Sequence, residues 1–301
     1  MSKKKTGATE AKEEKQAREK EKTSGVLIVA MKHPYYGCLA YNLALTLRAA
    51  QKDIAIHVIA DDIALSYLDA TRREVFDKEL KAKSDSPFDV KLSLDMYTQF
   101  DCTLYMDADT AWLNKKPAEM FDALSGVAWT CANHGAVLEK DLTDSTSQWL
   151  RADIKEFYSA HGLKGAWPRL SSEMMYFEKG KESSALFSAA RKFKPKTNYV
   201  QFAGGIPDEL ALGVAVMQTE MRPHEEPWHP AYWEYAHAAR PQQMSQINSE
   251  YFAYSIGGNI LTELMKQQYG DITKRAATTT QMSIPFLPRN KRHLIQNREN
   301  I

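Results

Sequence analysis

Two carboxylates, Asp107 and Asp109, stand one residue apart directly after the apolar run Leu104-Tyr105-Met106. Side chains at i and i+2 of an extended segment point the same way, so the pair can reach one ion, or an ion and a neighbouring polar group. Carboxylate oxygens suit hard divalent cations such as manganese and magnesium. A cation held there can bridge to phosphate oxygens and act as a Lewis acid where negative charge develops. The spacing alone does not decide this, because about one Asp-x-Asp arises by composition in a chain of this size. The competing reading is an ordinary solvated turn after a buried strand. The flanks favour a place at the edge of a core, since Trp112, Leu113, Pro117, Met120, Phe121 and Leu124 follow as a packed excursion leading into a helix.

Those carboxylates need a scaffold, and the amino-terminal third supplies one. Residues 26–30 are continuously apolar and predict a strand, followed by a loop containing Lys32, His33, Pro34, Tyr35, Tyr36 and Gly37. Leu39, Leu43 and Leu47 recur every four residues on one helix face, and Gln51-Lys52-Asp53 closes that helix before a second apolar strand at 54–60. Strand, helix and strand with a fully apolar first strand predict a parallel βαβ unit with a right-handed crossover. Ligands then belong at the carboxyl ends of the strands, where Tyr36, Asp61 and Asp62 fall. Further along, 126–131 and 174–177 read as strands and 183–193 as a short helix. The polar interval 134–169 reads as an insertion near the site, helical in part. Gly204-Gly205-Ile206-Pro207-Asp208-Glu209 leads into a helix beginning near Leu210.

Composition narrows the function classes. The 301 residues suffice for one large α/β core, and the formal net charge of +1 provides no global basic field of the kind nucleic-acid binders carry. Cys38, Cys102 and Cys131 are widely spaced and form no Cys-x-x-Cys pair, so neither a disulfide framework nor a zinc site is expected. No apolar run approaches the roughly 20 residues that span a bilayer, and no signal-peptide core is visible, so the expectation is a cytoplasmic protein without a membrane span. Residues 1–24 are rich in Lys and Glu with almost nothing to bury and read as a disordered charged tail, either a solubilising arm or a weak anchor on an anionic polymer.

Taken together, the elements resemble the glycogenin-like (family 8 type) glycosyltransferases, of which this chain would be a divergent member. The likeness covers about residues 25–213. It rests on four pieces in the family's order: the opening strand, loop and helix at 26–48; Lys91-Leu92 leading through Tyr97-Thr98-Gln99-Phe100-Asp101 to the Asp-x-Asp strand; Leu170-Ser171-Ser172-Glu173-Met174-Met175-Tyr176-Phe177 at the place of the family's Asn-Ser-Gly strand; and Pro207-Asp208-Glu209 at the place of its Asp-Gln pair.

The resemblance implies an α/β fold of the GT-A type, a Rossmann-like mostly parallel sheet flanked by helices, with a transferase domain at 25–270 and a C-terminal extension at 271–301. It implies a Mn2+- or Mg2+-dependent transfer of a sugar from a nucleoside diphosphate, UDP-linked in most of the family, to a hydroxyl, with retention of configuration. Asp109 would bind the metal directly, and Asp107 would share it or hold the ribose. Lys91 would place a positive charge on the diphosphate or donor sugar; the rival reading is a solvated strand-end lysine. Asp208 would stand beside the anomeric carbon, its rival role being to cap the helix after Pro207. Ala30 and Tyr36 would line the nucleotide pocket and Ser172 the donor sugar, while Glu209 or Glu173 could serve as a base if the reaction inverts.

Two departures stand out. Ser171-Ser172-Glu173 replaces Asn-Ser-Gly, so the donor sugar cannot be carried over. The family's third metal ligand, a C-terminal histidine, has no counterpart in Tyr254-Ser255-Ile256-Gly257-Gly258-Asn259, and His224, His229, His237, His293 or water compete for that role. The acceptor also stays open among glycan, protein and a hydroxymethylated DNA base. An aromatic cluster at Trp228, Tyr232, Trp233 and Tyr235, with His229, Glu234 and His237, suits sugars or bases but equally a folded aromatic knot. Arg289, Lys291, Arg292, His293 and Arg298 form a small basic patch that keeps nucleic acid in view. A catalytically silent nucleotide-sugar or glycan-binding module is the alternative from another class.

Overall fold

Val26, Leu27 and Ile28 have no exposed surface because the strand that carries them is covered on both faces. A computed structural model of the chain describes residues 22–138, 141, 154–194, 196, 207–221, 228–233, 242–257 and 262–285. In chain order the elements are β1 (Ser24–Ala30), α1 (Pro34–Ala50), β2 (Ala55–Ala60), α2 (Asp62–Leu65), α3 (Ala70–Arg73), β3 (Lys78–Lys81), α4 (Pro87–Lys91), α5 (Leu94–Tyr97), β4 (Cys102–Asp107), β5 (Thr110–Trp112), α6 (Pro117–Ala123), β6 (Trp129–Val137), α7 (Ile154–His161), β7 (Trp167–Glu178), α8 (Lys181–Lys192), α9 (Asp208–Thr219), β8 (Ala231–Trp233), α10 (Met244–Glu250), β9 (Ala253–Ser255) and α11 (Glu263–Thr280).

The main sheet runs β3-β2-β1-β4-β7-β6, and a second, three-stranded sheet runs β5-β9-β8. β1 pairs parallel with both β2 and β4, and β2 with β3, as the expected βαβ unit requires. β7 is antiparallel to β4 and to β6, so the sheet is mixed but mostly parallel. Alternate residues of the central strands serve two cores. Val26, Ile28, Leu104 and Met106 pack with α1, α6, α11 and the second sheet. Leu27, Val29, Tyr105, Met175 and Phe177 pack with α8 and α9.

Several local expectations shift. Tyr35, Tyr36 and Gly37 belong to the first turns of α1, not to a loop, because Pro34 occupies an early helical position and His33 caps it through a 3.1 Å bond from Tyr35 N–H to Nδ1. Lys91 is no strand-end lysine. It closes α4, a helix capped by Ser86 and opened by Pro87, and it is enclosed. Residues 134–137 and 167–169 extend the β6–β7 ladder to the pair Val137↔Trp167, with α7 between them; 142–153 lie outside the described residues. α11 runs unbroken through the expected domain boundary at 270–271 and packs on α1, and Tyr269 on it accepts a 3.2 Å hydrogen bond from Asn42 of α1. Ser24 belongs to β1, and Thr23 is tied to Asp101 by hydrogen bonds of 3.0 Å from its N–H and its hydroxyl.

Candidate active site

At β1 the sheet order reverses direction in sequence, since β2 lies on one side and β4 on the other. In open α/β sheets the crevice outside the strand ends at such a point is the usual ligand site. β4 delivers Asp107 there. The chain then leaves the main sheet through a tight turn in which the Thr110 hydroxyl bonds the Asp107 carbonyl at 2.8 Å, and β5 joins the second sheet. Asp109 therefore sits in a turn and not on an extended strand, with its carbonyl accepting from Ile256 N–H at 3.0 Å. The shared extended strand expected of the two carboxylates is therefore absent: Asp107 ends β4 and Asp109 lies in the turn after it.

Asp107 faces Lys91. The Lys91 ammonium reaches Oδ1 at 2.8 Å and Oδ2 at 2.9 Å, and the Tyr105 hydroxyl also donates to Oδ1. The same ammonium lies 3.2 Å from Asp208 Oδ2 and 3.3 Å from the Ser172 hydroxyl. Ser172 in turn donates to Glu209 Oε1 at 2.9 Å. One cation from α4 thus joins β4, β7 and the start of α9. The side chains of Lys91 and Asp208 are only 12% and 2% exposed, so water screens these charges little.

Charge distribution follows from burial. Burial alone would lower the Lys91 pKa, but Asp107 and Asp208 outweigh it and hold the ammonium charged, well above the ordinary lysine range. For Asp208, burial favours the acid, yet the Lys91 charge, with the neighbouring Ser172 and Glu209 side chains, keeps its carboxyl below the usual range. The Lys91 charge and a backbone hydrogen bond act on Glu209 in the same sense but are outweighed. Burial and the adjacent Asp208 charge push it up to about 8. Glu173, the residue after Ser172, is pushed up to about 7 by burial and by Asp109 and Asp107, against a hydrogen bond with Ser255.

The oxygen donors here are of the kind a hard divalent cation takes, and the mutual repulsion recorded in Glu173 is what such a cation relieves. The residues present therefore fit a magnesium or manganese ion. Among the described residues no group of three or more His, Cys, Asp and Glu side chains is arranged to hold a metal, so Asp107 and Asp109 stand as a two-residue candidate. His224, His237 and His293 lie outside the described residues. His229 is exposed and stacks against His134 with ring centroids 4.6 Å apart.

Tyr36 is partly buried beside Asp109, whose charge adds to burial in raising the phenol pKa. Ala30 ends β1 with no exposed surface. Asp61 is committed to structure: its carboxylate caps α2 through Ala64 N–H and takes Lys32 N–H, both at 2.7 Å, which holds Lys32 at φ 73°. Of the aromatic cluster, Tyr232 is fully buried against Tyr251 and Tyr254 and belongs to the core, whereas Glu234, Tyr235 and His237 lie outside the described residues. The basic patch at 289–298 does too. Two groups escaped the sequence reading, Tyr105 and Ser255. Tyr105 was findable, since it precedes Asp107 by two residues on one strand and so shares its face; Ser255 reaches the site only through the second sheet.

The sequence matches no family model and none of the curated proteins. Solved structures do resemble the fold. The chain is similar to the apo structure of WbbM, a bifunctional glycosyltransferase, with a TM-score of 0.52 and 10% identity over 85% of this chain and 50% of that one. It is also similar to an active-site mutant of LgtC, with a TM-score of 0.50 and 12% identity over 83% of this chain and 95% of that one. The chain thus spans half the length of the first and nearly all of the second. What the likeness establishes is the architecture: an α/β fold of the GT-A type, with a Rossmann-like, mostly parallel sheet flanked by helices.

Proposed function

We propose that the chain is a glycogenin-like glycosyltransferase that moves a sugar from a nucleoside diphosphate, in first place a UDP-sugar, to a hydroxyl acceptor with retention of configuration. The observation that carries this reading is the Lys91 bridge, which ties Asp107 at the end of β4 to Asp208 at the start of α9 at the carboxyl edge of a sheet shared with sugar transferases. Asp109 and Asp107 would hold manganese or magnesium, which when bound supplies a Lewis acid for the diphosphate. Lys91 is preorganised by its anchors, and its charge stabilises the negative charge that grows on the leaving diphosphate. Asp208 faces the sugar as a carboxylate, and Ser172 orients both it and the sugar hydroxyls. Tyr36 offers an aromatic face to the base, and Ala30, fully buried at the end of β1, supports that wall from within the core. The acceptor is a glycan, a protein or a modified DNA base, and the reading places the reaction in the cytoplasm.

A thermal-shift panel of nucleotide sugars with and without manganese tests the donor, because a bound ligand stabilises by mass action. The expected result is a manganese-dependent rise in Tm with one nucleotide-sugar class, together with release of nucleoside diphosphate that Asp109→Ala abolishes. Binding without turnover across the panel would instead identify a catalytically silent nucleotide-sugar module.

A further inference from the structure

Three carboxyl groups, those of Asp107, Asp208 and Glu209, surround one ammonium. The Lys91 ammonium contacts both oxygens of Asp107 and one of Asp208, and among the described residues no hydrogen bond or ion pair joins it to Glu209. Glu209 accepts from the Ser172 hydroxyl and is hydrogen-bonded with its neighbour Asp208. Asp208 is 1% exposed, and its Oδ2 faces the ammonium as an ion pair without a hydrogen-bond partner. Two adjacent carboxylates, Asp208 buried and Glu209 partly so, of which only Asp208 is in contact with the Lys91 ammonium, cannot both be ionised without cost. The start of α9 favours negative charge, but a helix end carries only about half a unit of positive charge and cannot balance two carboxylates.

We propose that Asp208 and Glu209 form a carboxyl pair holding a single proton, that Glu209 keeps it, and that Lys91 and Ser172 make this assignment. Lys91 selects Asp208 as the anion by direct contact. The Ser172 hydroxyl gives its hydrogen to Glu209 Oε1, which leaves the Glu209 proton to bond Asp208. Glu209 is then a positioning residue, an acid that fixes the Asp208 carboxylate, and not a base for the acceptor. The other titratable groups facing the pair are Asp107 and Tyr105 from β4 and Cys131 from β6, the last with its thiol held well above the ordinary range by burial and by Glu209. None of them offers a second positive charge. On the proposed function, loss of the Glu209 proton brings a further negative charge beside the diphosphate, so donor affinity falls as the pH rises through about 8.

Infrared difference spectroscopy of the full chain reads the proton directly. At neutral pH the wild-type protein should show protonated-carboxyl carbonyl intensity to which Glu173 also contributes; the Glu209 part should be lost in Glu209→Gln, and in Asp208→Asn, where the neighbouring charge is gone, it should titrate at lower pH. An unchanged band in Glu209→Gln, or a Glu209 component that titrates no lower in Asp208→Asn, overturns the assignment. The wild-type protein is a second test that needs no variant: part of its carboxyl band must disappear as the pH passes about 8, and a spectrum constant across that range overturns the proposal. If the chain binds a donor, Glu209→Gln should remove the alkaline fall in affinity that the wild-type protein shows. This outcome separates the two claims, since the band can be present with no donor bound, and a donor can bind with no band.

Discussion

At the residue scale the site is governed by how few cations serve many carboxylates. Lys91→Met leaves Asp107 and Asp208 buried without their partner, and breaking such a buried pair costs about 3–5 kcal/mol; urea unfolding of the variant should show a loss of that size, against near-native stability for an exposed control such as Lys83→Met. Asp107→Asn should weaken metal-dependent donor binding roughly tenfold or more, measured by titration calorimetry with manganese. It should also lower stability, because Asp107 is the principal anchor of Lys91. The pH dependence has a definite sign. Glu173 and Glu209 have folded-state pKa values of about 7 and about 8, raised from about 4.5. Their relative stabilisation is complete below that lower value and is lost as the pH rises through the upper two. Melting temperature should therefore fall between the acidic and alkaline ends of that window, and less so in Glu209→Gln.

At the scale of elements, what could be read early was whatever a local pattern determines. Residues 26–30 and 54–60 are apolar throughout, as buried parallel strands must be, and Leu39, Leu43 and Leu47 mark α1 by helical spacing. The Lys91 segment misled because Val90, Leu92 and Leu94 alternate like a strand. Ser86 and Pro87 supply the stronger signal, an N-cap and a first helical turn, and α4 and α5 form instead. The contact between α1 and α2 was invisible in the sequence although Gly37 hints at it: a Cβ there would stand 1.8 Å from the Ala64 carbonyl oxygen. Gly37→Ala should cost about 1–3 kcal/mol through backbone displacement, seen as a lower Tm by circular dichroism, and should disturb Tyr36 beside it.

For the whole molecule, the amino-terminal boundary can be tested by truncation. Removing residues 1–24 deletes the Thr23 bonds to Asp101 and the first pair of the β1–β4 ladder, Ser24↔Cys102. That protein should melt below one lacking only residues 1–21, and equal melting curves would show that this edge contributes nothing. The sequence by itself determined the class of fold, the strands of the first βαβ unit and the residue types available for catalysis, because hydrophobic period and side-chain chemistry are local properties. It also marked Asp107, Asp109, Asp208 and Lys91 as candidates through their motifs. Only the tertiary structure decided which of them act together. Lys91, Asp107, Ser172 and Asp208 lie 16, 65 and 36 residues apart in turn, and they meet because β4 lies between β1 and β7 and because α4 ends and α9 begins on the same edge. Charge states followed from that meeting, since a carboxyl group keeps or loses its proton according to the burial and the cation it finds there, and neither is written at its own position in the chain.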